Sequence, residues 1–135
     1  MTVNASSHLA EQHRLLVNTL PFDDADDFNA ATRGFIGALD PAVVRDASGK
    51  VVWDMDSYAF LDGEAPTTVN PSLWRQSRLL TKHGLYEVVP GIYQVRGVDL
   101  SDITFVRGKT GWIVFDPLVS AEPVRAAWEL FQKHV

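Results

Sequence analysis

The sequence predicts a mixed α/β protein of the α+β type, with a helical arm carrying a small hairpin over residues 1–84 and a strand-rich segment over residues 85–135. Three observations carry this. Before Gly84 the apolar residues recur mainly at helical spacing behind capping residues; beyond it come four short β-prone runs divided by Gly and Pro; and the chain closes on one amphipathic helix.

Ser6 and Ser7 suit the cap of a first helix over about 7–19, with Leu9, Leu16 and Leu20 near helical spacing until Pro21 interrupts. Asp23 and Asp24 then precede Phe28, Ala31, Phe35, Ile36 and Leu39, which predicts a second, acid-capped helix ending just before Pro41. Val43-Val44 and Val51-Val52-Trp53 flank the Asp46-Ala47-Ser48-Gly49 turn and predict a hairpin. Met55 to Asn70 reads as a connecting arm in which Ser57 to Leu61 can form one helical turn. Asn70-Pro71 fits the cap and first position of a helix that carries Leu73, Trp74, Leu79 and Leu80 and stops at Gly84.

The four β runs are Tyr86–Val89, Ile92–Val95, Ile103–Val106 and Trp112–Phe115. Their connections, Pro90-Gly91, Gly97 and Gly108-Lys109-Thr110-Gly111, predict antiparallel pairing. Ser120 caps the last helix, which has Glu122 and Pro123 in its first turn. Val124, Ala127, Trp128 and Phe131 lie on one side, and Arg125, Glu129 and Gln132 on the other. The sequence ends at His134-Val135 without the strand that would complete a β-α-β unit.

At 135 residues, 46% hydrophobic and 21% charged, the chain has the composition of one globular domain able to bury a core. A net charge of −5 gives nucleic acid or an anionic membrane no attraction, so neither is expected as a partner. Phe22 to Glu64 holds ten acids against Arg33, Arg45 and Lys50, and reads as a solvated face. The absence of cysteine excludes disulfides, thiolate zinc sites and cysteine nucleophiles. His8, Glu11, His13, Arg14 and Asn18 interrupt the first twenty residues, so neither a signal peptide nor a membrane span is expected, and the expected compartment is the cytoplasm.

The search for chemistry yields no complete site. His8 and His13 stand about 140° apart around a helix, and His83 and His134 sit on other elements near predicted helix C-termini, where the dipole favours them. Asp23, Asp24, Asp26 and Asp27 run into a helix and lack the alternating ligand spacing of a calcium loop. Asp54, Asp56, Asp62 and Asp116 could each act as a base, but none has a partner histidine in the sequence pattern. There is no Gly-x-Ser-x-Gly elbow, and Gly108–Gly111 is too short for a phosphate loop. Trp53, Trp74, Trp112 and Trp128 are expected in the core; only Trp74, beside Arg75 and Arg78, has a polar rim suited to a binding groove.

Three stretches go beyond composition: Val69-Asn70-Pro71-Ser72-Leu73-Trp74-Arg75-Gln76-Ser77, Gly91-Ile92-Tyr93-Gln94-Val95-Arg96-Gly97, and Thr110-Gly111-Trp112-Ile113-Val114-Phe115-Asp116-Pro117-Leu118. In this order they resemble the N-terminal segment of alkyl sulfatases of the metallo-β-lactamase superfamily, from about Phe22 to Phe131. The resemblance implies an incomplete αββα sandwich, of which residues 85–135 would be the first strands and first helix. It further implies a zinc-dependent hydrolase of linear alkyl sulfate esters such as dodecyl sulfate, with two zinc ions activating a water.

In that family the first metal ligands lie in a His-x-His-x-Asp-His motif after the strand that follows the last helix here, a motif this sequence does not contain. No catalytic, cofactor-binding or metal-binding residue is therefore carried over, and Asp116 matches a strand-end aspartate that supports the loops near the metals. The expectation is a leading segment, inactive alone, whose partner is the rest of the polypeptide or another chain covering an apolar sheet, with a homodimer as a further alternative. A standalone binding module and a gene remnant are the competing readings.

Overall fold

The computed structural model describes residues 4–135. Helix α1 spans Ser7–Thr19, and the Ser6 side chain accepts a hydrogen bond from the Leu9 amide at 3.2 Å, as the capping pattern predicts. Helix α2 is short, Asp26–Thr32, with Asp26 and Asp27 in its first turn. Strands β2 (Val43–Arg45) and β3 (Val51–Asp54) form the predicted hairpin, and Asp46 Oδ1 organises its turn by accepting from the amides of Ser48 and Lys50 at 2.8 and 3.0 Å. A 3-10 helix, Asp56–Asp62, supplies the single helical turn expected in the connecting arm.

Helix α3 spans Pro71–Leu80, and Asn70 Oδ1 accepts from the amides of Ser72 and Leu73 at 2.9 and 3.4 Å. The predicted β runs are strands β4 (Gly84–Val89), β5 (Ile92–Arg96), β6 (Ile103–Arg107) and β7 (Trp112–Phe115), and helix α4 is Ala121–His134.

Two sequence expectations fail. The second helix does not reach Pro41: it ends at Thr32, and Phe35–Gly37 form strand β1, antiparallel to β4. The cause is tertiary. Gly34, at φ 76°, turns the chain so that its carbonyl accepts from the Glu87 amide at 2.8 Å, and any side chain at Gly34 would collide with the Glu87 carbonyl. Nor does α3 run to Gly84. It stops at Leu80, and Gly84, at φ 129°, opens β4, where a Cβ would lie 2.6 Å from the Gly37 carbonyl oxygen and 2.8 Å from the Phe35 ring. Ser120 holds the cap position of α4, but its side chain accepts no capping bond.

The five strands form one antiparallel sheet in the order β1-β4-β5-β6-β7. Residues paired across the strands share a face. Leu85, Val95, Ile103, Tyr93 and Phe105 turn toward α4, whose Ala127, Leu130 and Phe131 close the core over them. The opposite, outer face carries Phe35, Tyr86, Gln94, Thr104 and Phe115 in one row and Val89, Ile92, Val106 and Ile113 in the next.

Candidate functional site

A concave feature lies where the arm folds over one end of that outer face. Tyr86 is buried there, its hydroxyl donating to the Lys82 carbonyl at 3.0 Å, with the Arg96 guanidinium 4.3 Å above its ring. Arg96 also donates from Nε to Gln94 Oε1 at 2.7 Å and to the Ala31 carbonyl at 3.4 Å, which fixes it across sheet and arm. Between the 3-10 helix, α3 and the Gly97–Asp102 loop this leaves a groove of about 520 Å³. Its walls include Trp53, Phe60, Leu61, Trp74, Leu80 and Leu100, with Lys82, Asp99 and Asp102 as charged groups alongside Arg96.

The loops at this end of the sheet are tied together. Asp99 accepts from the Leu100 amide at 2.7 Å and, across to the β7–α4 loop, from the Val119 amide at 2.8 Å. Ser101 Oγ donates to Asp116 Oδ1 at 3.1 Å. Asp116 and Leu118 hold φ values of 50° and 66°, a left-handed conformation that costs a non-glycine residue on the order of 1 kcal/mol and persists only where neighbours enforce it. Asp99 and Ser101 are those neighbours. Asp102 keeps an exposed surface, yet its carboxyl is shielded enough from water to push its pKa up. Asp116 adds to that shift, while Arg96 and the Gly97 amide oppose it.

The histidines remain apart. His8 is exposed on α1; His13 Nδ1 lies 3.0 Å from the Thr67 carbonyl; His134 packs against Gly37. His83 sits in the turn after α3 rather than at its end, with Nδ1 3.2 Å from the Thr81 carbonyl. One juxtaposition escaped the sequence pattern: His83 lines a cavity of about 230 Å³ with Asp56, Asp62 and Lys82. Asp56 there accepts from the Ala42 amide at 3.1 Å, and Asp54 accepts from the Ser57 amide at 2.9 Å, so both carboxylates organise backbone.

Asp24 and Asp27 anchor Arg75, which donates to the Asp24 carbonyl and to Asp27 Oδ2 at 2.8 Å each and lies over the Phe28 ring with Arg78. The rim expected from Arg75 and Arg78 therefore faces α2. Trp74 reaches the groove without it, and Trp53 joins it there, whereas Trp112 and Trp128 pack on the core as expected.

Among the described residues no three histidines or carboxylates converge as a metal site. The side chains of the described residues do not by themselves fit the zinc pair that the resemblance implies. No helix among the described residues is long and apolar enough to cross a membrane.

No family model matches the chain. It is 50% identical over 121 residues to the linear primary-alkylsulfatase of Pseudomonas sp., covering 88% of this chain and 18% of that protein. The alkyl/aryl-sulfatase BDS1 of Saccharomyces cerevisiae is 45% identical over 116 residues, covering 85% of this chain and 18% of the relative. The solved structure of the stereoselective inverting sec-alkylsulfatase Pisa1 from Pseudomonas sp. superposes with a TM-score of 0.91 at 43% identity, over 100% of this chain and 21% of that one. The chain thus spans about one fifth of the length of the curated relatives it matches. The resemblance carried by Val69–Ser77, Gly91–Gly97 and Thr110–Leu118 is borne out in sequence and in fold: nearly all of this chain is homologous to part of an alkylsulfatase.

Proposed function

We propose that these residues form the leading scaffold segment of a zinc-dependent hydrolase that releases sulfate from linear alkyl sulfate esters, and that the segment alone is inactive. The likeness to alkylsulfatases, 43–50% identity with one fold throughout, is the observation that supports it. In this reading residues 1–84 are the arm, and residues 85–135 begin a metallo-β-lactamase-type sandwich whose later portion brings the metal ligands. The arm buttresses one end of the sheet through Arg96 and Tyr86, and Asp99 and Ser101 brace the Asp116–Val119 loop. Asp116 is then a positioning residue rather than a ligand.

The test is sulfate release from decyl sulfate in the presence of zinc, by this chain and by a longer polypeptide that contains it together with a His-x-His-x-Asp-His stretch. Release by the longer protein alone is the expected result. Release by the 135-residue chain without other protein would overturn the inactive-scaffold reading, and no release by either would overturn the hydrolase.

One observation favours a second reading, a non-catalytic interaction module. Ile113 and Phe115 on the outer face are 54% and 56% exposed, as a docking surface for another chain requires.

A further inference from the structure

We propose that the Gly97–Asp102 loop is a crossbeam coupling the arm to the β7–α4 loop: the docked arm holds Asp116 and Leu118 in the left-handed conformation, and its release lets them relax. The β7–α4 loop does not choose that conformation by itself. Asp116 precedes Pro117, and a residue before proline is driven toward extended backbone, yet its φ is 50°. Leu118, at φ 66°, is a bulky residue in a region that glycine favours. Burial does not enforce it either. Asp116 and Pro117 are exposed, Val119 is 68% exposed, and Leu118 alone of the four packs against the core.

What enforces it comes from the Gly97–Asp102 loop. One Asp99 carboxylate oxygen accepts from the Leu100 amide and the other from the Val119 amide, while Ser101 donates to Asp116. This loop is itself fixed. Val98 and Ile103 are 2% and 1% exposed in the core, and the Gly97 amide donates to Asp102.

The arm bears on the Gly97 end. Trp53, on β3, donates from Nε1 to the Gly97 carbonyl at 3.0 Å. A Cβ at Gly97 would lie 2.6 Å from the Cβ of His83 and 3.0 Å from the Met55 methyl, so loop and arm touch with no room for a side chain between them. Arg96, one residue earlier, donates to the Ala31 carbonyl at the far side of the arm. The arm thus holds one end of the crossbeam, and the crossbeam holds Asp116 and Val119.

The magnitudes make this coupling sensitive. The two-state element is the Asp116–Leu118 backbone, and a left-handed residue other than glycine is disfavoured roughly five- to thirtyfold. A net hydrogen bond shifts such an equilibrium by only about fivefold. The ties from Asp99 and Ser101 therefore hold the loop narrowly, and a small displacement of the crossbeam is felt there.

The test is NMR of the isotope-labelled 135-residue chain. Two signals report on the loop: the intraresidue cross-peak between amide and α proton at Asp116 and Leu118, which is strong when φ is positive, and the exchange rate of the Val119 amide. Trp53→Phe keeps the ring and removes the N–H that reaches Gly97. Trp74→Phe is the matched control, because it removes an equivalent N–H from the Gly63 carbonyl elsewhere in the arm. Asp99→Asn leaves one acceptor oxygen for two amides.

Asp99→Asn is expected to speed Val119 exchange about tenfold or more. Trp53→Phe is expected to speed it up to about fivefold, with weaker cross-peaks at Asp116 and Leu118. Trp74→Phe should leave all three residues as in the parent. Parent values in Trp53→Phe would confine the brace to the two loops and overturn the coupling. Equal shifts in Trp53→Phe and Trp74→Phe would reduce it to general loosening and overturn it as well.

The parent chain supplies a check that needs no substitution. The Glu87 amide donates to the Gly34 carbonyl across the junction of arm and sheet. If release of the arm frees the loop, Val119 cannot be better protected from exchange than Glu87, once intrinsic rates are corrected. Stronger protection at Val119 ends the proposal even where a variant fails to fold.

Discussion

The two faces of the five-stranded sheet obey the same alternation and meet opposite fates. Toward α4, Tyr93 and Phe105 join Phe131 and Trp128 in a continuous aromatic cluster, with Phe105 and Phe131 stacked at 4.3 Å between ring centroids. On the outer face the arm covers Tyr86 and stops, leaving Val89 on β4 and Ile113 and Phe115 on β7 half or more exposed. Strand pattern alone therefore places a residue on a face without saying whether that face is filled. Coverage is decided by what else packs there, and on the outer face of these residues only the Arg96 end has it.

The largest expected contrast is on the covered side. Phe131 is 2% exposed and touches Tyr93, Phe105, Trp112 and Trp128. Phe131→Ala removes the ring at the centre of that cluster and should cost about 3–5 kcal/mol, because neighbouring rings cannot collapse into the space. Urea unfolding followed by tryptophan fluorescence checks it. A loss under about 1 kcal/mol would mean that α4 is held by something other than this cluster.

What was legible in the sequence divides along the same line. Elements specified by local chemistry stand where the pattern put them: α1 behind Ser6, α3 behind Asn70-Pro71, the Asp46–Gly49 hairpin turn, and the four strands separated by glycine turns. Strand β1 was hidden because Phe28, Ala31, Phe35 and Ile36 have helical spacing, and its identity comes from pairing with β4, fifty residues away in sequence. A two-residue apolar pair between Gly34 and Gly37 was the signal available. The groove had only Trp74 as a pointer. Trp53, Leu100 and Lys82 reach it from separate elements whose meeting is set by tertiary packing.

A smaller effect tests the end of the outer face that is covered. Shielding of Asp102 raises its pKa, so the folded state holds its proton more tightly than the unfolded chain does. The resulting contribution to stability is present below the unfolded value and is lost as pH rises through the folded one, so at neutral pH the ionised carboxylate opposes folding. Asp102→Asn keeps an acceptor for the Gly97 amide and removes the charge. Its urea midpoint should lie slightly above that of the parent at pH 7, with the difference gone at pH 3. A lower midpoint at pH 7 would show that attraction to Arg96 outweighs the shielding.

The smallest expected change in stability belongs to the uncovered end, and it separates the readings of the molecule. Ile113 and Phe115 gain little from folding while they remain wet, so Ile113→Thr with Phe115→Thr should alter the stability of this chain by no more than about 0.5 kcal/mol. The same pair should reduce self-association, because β7 is an edge strand whose apolar side chains and unpaired backbone both invite another chain. Size-exclusion elution against concentration reads that directly. In the longer polypeptide the two substitutions should instead cost several kcal/mol if further chain packs on this face, since buried Ile and Phe side chains are then being replaced. Equal and small effects in both contexts would leave the face free for a separate partner and favour the interaction module; a loss in the short chain as large as that of Phe131→Ala would mean that the outer face is already packed.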